Sequence, residues 1–354
     1  MVWWERMKKI KLGISSILAI LFSVILLMCT KTDFLVDLGI ARSEINETDL
    51  ELIIDEVKEG ERCFVFSNTP KEDFNHVMDL IYDNPYLFWI DMKYRAISVG
   101  DLHIVVLREK YDNLDIKTKE IEQKIQAVAS TINGNSVSDY DKVLAVHDWI
   151  CNNVTYSKLE NDADQDVYGA LFEKRARCAG YAKLFTMLLD AVDIRSEVLS
   201  GEAVDADGET VAHAWNIVYI DDQPYYFDIT WDDDDNGPIN YSWFAVTKKE
   251  FEKKHFLSIG YDWVDATSTQ HNYYRKNGMY MESYSNAFIV KMIQTQGKNF
   301  FIKCKNEQEM NRTIAALSSS SELQSIMRST GITYIDSIKY EKEEGSNCLS
   351  VSIQ

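Results

Sequence analysis

Residues 175–182 read RARCAGYA and lead directly into an apolar run, 179–192, whose spacing predicts a helix. Cys178 then stands at the N-terminus of that helix, where the helix dipole and unpaired backbone N–H groups stabilise a thiolate. Arg175 and Arg177 add to that effect if their side chains face the site. We therefore expect Cys178 to have a lowered pKa and to act as a nucleophile, with the same N–H groups available to hold an oxyanion.

Two downstream residues can complete a catalytic triad around that thiol. His213 lies at the start of a predicted strand, 212–220, and Asp228 lies in the next one, 225–229. A tight turn at 221–224 joins the two strands as a hairpin. The histidine and the aspartate are then expected opposite one another or nearly so. The carboxylate can fix the imidazole tautomer while the other ring nitrogen faces the thiol.

Blocks in this order resemble the bacterial transglutaminase-like superfamily, whose members share a papain-like core. The blocks are YGAL at 168–171, RARCAGYA at 175–182, HAWN at 213–216 and FDITWD at 227–232, with HDWI at 147–150 and VTY at 154–156 upstream. The resemblance covers roughly residues 116 to 247. It implies an α+β fold in which helices pack on an antiparallel sheet.

The same resemblance implies a division of labour among three residues. Cys178 would be the nucleophile, His213 the general base and acid, and Asp228 the orienting carboxylate. The thiolate would attack an amide carbonyl and leave a thioester, which water or a primary amine would resolve. The triad is the same in both cases. We favour hydrolysis because the sequence shows no device that excludes water.

The chain departs from the superfamily pattern at one place. Members often have a glycine about four residues before the cysteine, and here Lys174 and Arg175 occupy that stretch. We therefore expect the shape of this loop, and with it the oxyanion site and the cleft, to differ. The segment NPYLFW at 84–89 resembles one found ahead of this domain in some bacterial members, so the N-terminal region is expected to accompany it.

Aromatic residues crowd the motif. They are Tyr156, Tyr168, Tyr181, Trp215, Trp231 and Trp243. Core packing is the simplest interpretation of the group as a whole. As candidates for the wall of a cleft we single out Tyr168, Trp215 and Trp231.

Two acidic runs match part of a calcium-binding loop. The run 162–166 alternates aspartates, but Val167 stands where an EF-hand requires glycine. The run 232–237 matches the first half of the same motif, but Trp243 falls where the bidentate glutamate belongs. We interpret both as solvated loops and predict neither a metal nor another cofactor.

The composition limits the choice of partners. The chain has 354 residues, of which 46% are hydrophobic and 26% charged, as in ordinary globular proteins. Its net charge of -19 makes nucleic acid an unsuitable partner. The six cysteines are widely spaced without a C-x-x-C pair, so neither a zinc site nor a disulfide scaffold is indicated.

The N-terminus indicates export. Basic residues between Arg6 and Lys11 precede an uncharged run, 12–29, which is typical of a signal peptide or a membrane anchor. The basic flank should stay in the cytoplasm, so the rest of the chain is expected outside it. We rank an uncleaved anchor first, lipidation at Cys29 second because Met28 precedes it, and cleavage third.

The pattern along the chain predicts four parts. They are a signal peptide or anchor (1–30), an N-terminal α+β region (31–115), a transglutaminase-like catalytic domain (116–248) and a C-terminal α+β accessory region (249–354). In the last part we predict strands at 287–292 and 299–303, a helix at 306–317 and two strands in the tail at 332–353.

Two classes of function remain open. The first is an extracytoplasmic enzyme that acts on peptide or protein amides, with substrates in the cell envelope or among nearby proteins. The second is a non-catalytic binding or scaffolding module at the cell surface that keeps the fold. The complete set of Cys178, His213 and Asp228 favours the enzyme, since a disused site need not retain all three. The oligomeric state leaves no trace in the sequence.

Overall fold

The computed structural model describes residues 47–66, 69–159, 162–233, 237–258, 261–343 and 345–354. The predicted signal peptide or anchor lies outside these residues. Among the described helices, none is long and apolar enough to cross a membrane. Contacts within the chain define two units: the described part of Met1–Ile81 with Ile90–Lys110, and Tyr82–Trp89 with Tyr111–Gln354.

The first unit packs helices on a small antiparallel sheet. Its elements are α1 (Glu47–Glu59), β1 (Cys63–Phe66), α2 (Lys71–Asp83), β2 (Arg95–Val99) and β3 (Leu102–Val106), with strand order β1-β3-β2. The predicted spacing in α2 holds, because Phe74, Val77, Met78 and Ile81 are buried. The predicted α+β character of this region is confirmed, although β2 was not predicted.

The second unit begins with the three predicted long helices. They are α3 (Leu114–Asn135), α4 (Asp139–Asn153) and α5 (Cys178–Asp190). Ser138 caps α4 by accepting a hydrogen bond from the Asp141 amide. The central helix α5 is apolar on nearly all sides and almost wholly buried, which fits a helix packed between the other helices and a sheet.

That sheet is antiparallel throughout and carries the predicted hairpin. Its strands are β6 (Ser196–Val204), β7 (Thr210–Ile220), β8 (Gln223–Phe227) and β9 (His255–Leu257), in the order β8-β7-β6-β9. Asp221 and Asp222 both have positive φ, 51° and 61°. Two left-handed residues in succession match the twist of a two-residue hairpin, so the predicted turn is confirmed.

Short elements complete the core. They are the parallel pair β4 (Thr155–Tyr156) and β5 (Arg175–Ala176), the single-turn helices α6 (Ile229–Asp232), α7 (Lys248–Phe251) and α8 (Tyr273–Lys276), and the turns Pro85–Leu87, Asp162–Gln165 and Gly169–Glu173.

A second sheet follows near the C-terminus. Its elements are β10 (Tyr280–Met281), α9 (Asn286–Gln296), β11 (Asn299–Cys304), α10 (Glu307–Leu317), α11 (Ser320–Thr330), β12 (Ile338–Glu343) and β13 (Cys348–Ile353), with strand order β10-β11-β13-β12. Strands were predicted correctly at 299–303 and in the tail.

The predicted strand at 287–292 is wrong, because this segment lies in helix α9. Ser285 caps the helix by accepting from the Phe288 amide, and Gly297 follows its last residue. Ile289, Met292 and Ile293 are buried at helical spacing. A short apolar run is compatible with the spacing of a helix or of a strand. Here the residues that cap each end stabilise the helix.

Candidate active site

Cys178 is the first residue of α5, as the sequence predicts. Arg177 before it has extended backbone, φ -100° and ψ -178°, so the chain enters the helix abruptly at the cysteine. The side chain packs beside Ala182, Val198 and Ala214. The thiol therefore lies at the positive end of a well-anchored helix, next to backbone N–H groups that have no acceptor within the helix.

The first turn of α5 requires Gly180. A Cβ atom there would lie 2.8 Å from the Asp164 carbonyl oxygen and 2.8 Å from the Ala176 Cβ. The loop before the helix thus lies against its first turn, and no side chain fits between them. This contact fixes where the helix starts relative to Cys178.

His213 and Asp228 come together at one end of the β7–β8 hairpin. The His213 Nε2 lies 2.6 Å from the Asp228 Oδ2, and both side chains are buried. Asp228 directly follows β8 and caps α6, because its Oδ1 accepts from the Trp231 amide at 3.2 Å. One carboxylate thus starts a helix with one oxygen and orients the histidine with the other.

The electrostatics of the three groups favour a thiolate–imidazolium pair. Burial alone raises the pKa of the Cys178 thiol, but its hydrogen bond to His213, the charge of that ring and the Ala214 amide lower it overall. Burial opposes the charged form of His213, yet Asp228 and Cys178 raise its pKa to about 10. Burial also opposes ionised Asp228, and His213 and His255 still hold its pKa well below the usual range.

A second histidine, His255, lies on the other side of Asp228. Its Nε2 is 2.9 Å from the same Oδ2 that contacts His213, and the side chain is fully buried at the start of β9. This residue was not predicted from the sequence. It lies beyond the resembling blocks, and a lone histidine after a lysine-rich stretch carries no motif; only the pairing of β9 with β6 brings it to the site.

A further buried pair supports the segment after Asp228. The His147 Nε2 lies 3.3 Å from the Asp232 Oδ2, and its Nδ1 lies 3.1 Å from the Asp148 Oδ1. The Asp232 Oδ1 accepts from the Trp243 amide at 2.8 Å. Burial raises the pKa of Asp232 to about 6, with His147 opposing the rise. The HDWI block of α4 thus ties that helix to the segment that carries Asp228.

Three of the acidic residues expected in solvated loops, namely Asp164, Asp166 and Asp232, are buried. Asp164 accepts from the Ser157 hydroxyl at 2.5 Å and from the Arg175 Nε at 3.0 Å. Asp166 accepts from the Tyr111 hydroxyl at 2.7 Å. The solvated interpretation is therefore wrong for Asp164, Asp166 and also Asp232. Their oxygens already have protein donors, which is typical of carboxylates that hold loops in place.

The two arginines next to Cys178 in the sequence have different surroundings. Arg177 lines the cavity described below. Arg175 instead binds Asp164 and Glu173, the latter through its Nη2 at 3.0 Å. Its expected contribution to the charge of the site is therefore directed into the supporting loop.

The loop before Cys178 keeps the backbone of a glycine. Lys174, four residues before the cysteine, has φ 53° and ψ 35°, the left-handed conformation in which glycine is favoured. A lysine there costs about 1 kcal/mol relative to an unstrained backbone. The departure from the superfamily pattern therefore places a lysine in a backbone conformation that favours glycine.

Only part of the predicted aromatic set reaches the cavity. Trp231 lines it and stacks on the His213 ring at 5.0 Å between centroids. Trp215 is fully buried, and its ring contacts Phe251 and the His255 ring. Tyr168 packs on Tyr111 and Phe172, away from the cavity lining.

Cys178, His213 and Trp231 open into a cavity of about 950 Å³. One wall comes from the sheet β8-β7-β6-β9 and the loops around it. The other wall comes from the sheet of β11, β13 and β12, which contributes Asn299, Phe301, Glu341, Ser350 and Ser352. The cavity is large enough for several residues of a peptide.

Strand register explains why this second wall is polar. Three cross-strand rows share one face, namely Asn299–Ser352–Lys339, Phe301–Ser350–Glu341 and Lys303–Cys348–Glu343. Residues of the opposite face, such as Phe300 and Val351, are buried in the C-terminal core. Alternation along each strand therefore gives the sheet one apolar face for stability and one polar face toward the cavity.

The third of these rows joins the C-terminal sheet to the segment 242–250. The Lys303 Nζ lies 3.2 Å from the Glu250 Oε1 and donates to the Ser242 carbonyl at 3.4 Å. Glu343 accepts from the Trp243 Nε1 at 3.4 Å. Burial raises the pKa of Glu343 to about 7, and the charges of Asp232 and Asp228 act in the same direction.

His213, Asp228 and His255 are also the described residues whose ligand atoms could surround a metal ion, since these atoms lie within 4.8 Å of one another. The two nitrogen–oxygen distances of 2.6 and 2.9 Å are those of hydrogen bonds. Ligands of a tetrahedral zinc with bonds of about 2.0–2.1 Å stand farther apart, at about 3.3 Å. The three groups thus fit shared protons better than a metal.

Comparison with known proteins points to the same superfamily as the sequence blocks. Residues 126–245 match the model of the transglutaminase-like superfamily. The human Kyphoscoliosis peptidase is 23% identical over 136 residues, which span 35% of this chain and 21% of that protein. The chain thus spans about a fifth of the length of the curated relatives it matches.

Two solved structures are also similar. A crystal structure of a TGase covers 71% of this chain and 75% of its own, with 17% identity and a TM-score of 0.30. The periplasmic domain of TgpA from Pseudomonas aeruginosa covers 37% of this chain and 53% of its own, with 15% identity and a TM-score of 0.25. Likenesses this weak say nothing about activity.

Proposed function

We propose that this chain, whose residues 126–245 match the model of the transglutaminase-like superfamily, is a cysteine-dependent acyl-transfer enzyme for peptide or protein amides. The observation that carries the proposal is the continuous chain of contacts from the Cys178 thiol through His213 to Asp228 at the edge of a large cavity. The three groups supply a nucleophile, an acid–base group and an orienting carboxylate.

The reaction begins with attack of the Cys178 thiolate on the amide carbonyl carbon. N–H groups at the N-terminus of α5 stabilise the negative oxygen that forms. Because the His213 Nε2 faces Asp228, its Nδ1 carries the proton that reaches the leaving nitrogen as the C–N bond breaks. A thioester on Cys178 remains, and His213 is left neutral.

In the second step a nucleophile attacks the thioester and gives its proton to His213. Water yields a carboxylic acid, whereas a primary amine yields a new amide. We favour water, because the cavity is wide and its second wall is lined by serine, asparagine and glutamate side chains. The sulfur leaves as a thiolate, which restores the starting ion pair.

Location and partners follow from the sequence. The predicted anchor or signal segment at 1–30 supports an extracytoplasmic enzyme whose substrates are peptides or proteins of the cell envelope or its surroundings. The polar second wall supports a peptide substrate in an extended form, lying between the sheet β8-β7-β6-β9, which we call the catalytic sheet, and the C-terminal sheet.

The test uses the full-length protein in detergent, a mixed peptide pool and a biotin-tagged primary amine, with products read by mass spectrometry. Cleaved or deamidated peptides indicate a hydrolase, and incorporated tag indicates a transglutaminase. Cys178→Ala should abolish either product, and Cys63→Ala, which removes an exposed thiol in the other unit, should not. Equal product from the wild type and Cys178→Ala would contradict the proposal and favour a binding module.

A further inference from the structure

His255 occupies a site that a histidine would not fill for packing alone. The imidazole is fully buried and stacks on the Phe251 ring at 3.7 Å between centroids. Trp231, Trp243 and Trp215 surround it at 4.6, 5.0 and 5.1 Å. A polar ring in such an aromatic enclosure is costly unless its nitrogens are hydrogen-bonded. A phenylalanine ring would avoid that cost of burial. We therefore expect the nitrogens of His255 to form hydrogen bonds that matter for the site.

Both nitrogens of His255 face acceptors. The Nε2 lies 2.9 Å from the Asp228 Oδ2, and the Nδ1 lies 3.2 Å from the Phe251 carbonyl oxygen. Neither oxygen can donate, so each contact asks for a proton on the ring. Burial and the charge of His213 lower the pKa of His255, which disfavours a second proton. The single proton of the neutral ring then belongs on Nε2, because the bond to the carboxylate is shorter and charge-assisted.

Asp228 is therefore held by two imidazoles at one oxygen. The His213 Nε2 and the His255 Nε2 both donate to Oδ2, and the two rings lie 5.8 Å apart. The other oxygen accepts from the Trp231 amide. His255 touches neither the cavity nor Cys178 in this arrangement, so it can act only through the carboxylate.

We propose that His255 is a positioning residue of the reaction, which fixes the Asp228 Oδ2 and takes up part of its charge so that His213 is held in one place. This inference rests on the proposed acyl-transfer function for its purpose. Its hydrogen-bond chemistry stands independently of any substrate. Each donor on a carboxylate reduces the pull of that carboxylate on the remaining protons. His255 thus limits how strongly Asp228 stabilises the His213 imidazolium.

Other titratable and charged groups also lie near Asp228 and His213. The carboxyl groups of Asp232 and Glu343 act on it through their charges, and Cys178 acts on His213. Lys254, next to His255 in the chain, directs its ammonium to the Asp205 carbonyl at 3.5 Å. Changing His255 therefore alters one donor on Asp228 while these groups stay in place.

The test compares two variants of similar length, His255→Gln, which keeps an N–H donor, and His255→Met, which has none. Alkylation of Cys178 by iodoacetamide is followed against pH by peptide mass spectrometry. In the wild type the rate changes once as the ion pair forms and again as His213 loses its proton. We expect His255→Met to move the second step upward by about one pH unit, the size of one lost hydrogen bond, and His255→Gln to stay near the wild type.

Equal profiles in the two variants would overturn the proposal and leave His255 as a core residue. If neither variant folds, the wild type decides: a ¹⁵N–¹H spectrum should show His255 protonated at Nε2, and an unprotonated Nε2 would overturn the proposal. The assay uses no substrate. Failure of peptide turnover would therefore count against the proposed function alone, and an unmoved alkylation step would count against His255 alone.

Discussion

Two four-stranded sheets border the same cavity and do different work. The catalytic sheet β8-β7-β6-β9 is antiparallel and brings His213, Asp228 and His255 to one end, all of them buried. The C-terminal sheet β10-β11-β13-β12 presents rows such as Phe301–Ser350–Glu341, which are partly exposed and line the other side of the cavity. The proposed chemistry thus uses buried groups that share protons, whereas the proposed peptide-binding wall uses a polar surface that strand alternation supplies.

The largest effect is expected from a substitution that changes the catalytic sheet and leaves the C-terminal sheet intact. Asp228→Asn keeps the shape and the α6 cap but removes the charge that favours the His213 imidazolium. We expect kcat to fall by about 10²–10⁴-fold while KM changes little. Steady-state kinetics on a cleaved peptide from the pool measures both. A loss carried mainly by KM would contradict this assignment of roles.

The opposite change blocks the C-terminal wall. Ser350→Arg places a long side chain in the middle row of the polar face, so we expect KM for peptides to rise about tenfold or more with little change in iodoacetamide alkylation of Cys178. Ser329→Arg, an exposed position in the last turn of α11, is the matched control. Unchanged kinetics for Ser350→Arg would show that peptides do not use this wall.

The pH dependence of kcat/KM tests the protonation states of Cys178 and His213. The active form needs ionised Cys178, whose pKa is lowered from 9.0, and protonated His213, whose pKa is raised to about 10. Activity should therefore rise with pH below 9 and fall through about pH 10, which gives a bell-shaped profile of kcat/KM. A plateau that continues above pH 11 would contradict a protonated His213 in the active form.

The smallest effect concerns the loop before Cys178. Lys174→Gly relieves a left-handed lysine, and we expect an increase of about 0.5–1 kcal/mol in the free energy of unfolding, with unchanged kcat. Urea denaturation measures the change. Lys158→Gly gives a comparison at an exposed position without positive φ. Destabilisation by Lys174→Gly would show that the lysine side chain, rather than the turn, matters there.

Prediction from sequence succeeded for the catalytic sheet where local signals are strong. The helix at Cys178 and the hairpin between His213 and Asp228 depend on spacing and turn residues within a few positions. The geometry then places these three side chains together. His255 could not be predicted, because it reaches Asp228 only through the pairing of β9 with β6.

The C-terminal sheet was harder for the same reason. Its strands were predicted, but their rows depend on register between β11, β13 and β12, which no local pattern specifies. The burial of Asp164 and Asp166 was likewise not predicted. Asp166 accepts from Tyr111, which is distant in the sequence, and Asp164 accepts from Arg175, whose side chain was expected to face Cys178. From sequence alone, polar residues in loops are interpreted as solvated, because their distant hydrogen-bond partners are not known.

The central claim is that Cys178 is held as a thiolate by His213, and two thiols of the same chain can test it. Cys63 is exposed, and burial of its thiol group with the charge of Glu61 raises its pKa, whereas Cys178 is only partly accessible. Iodoacetamide labelling at pH 6, resolved by peptide mass spectrometry, compares them in one sample. We predict that iodoacetamide labels Cys178 at least about tenfold faster than Cys63. Faster labelling of Cys63 would contradict it.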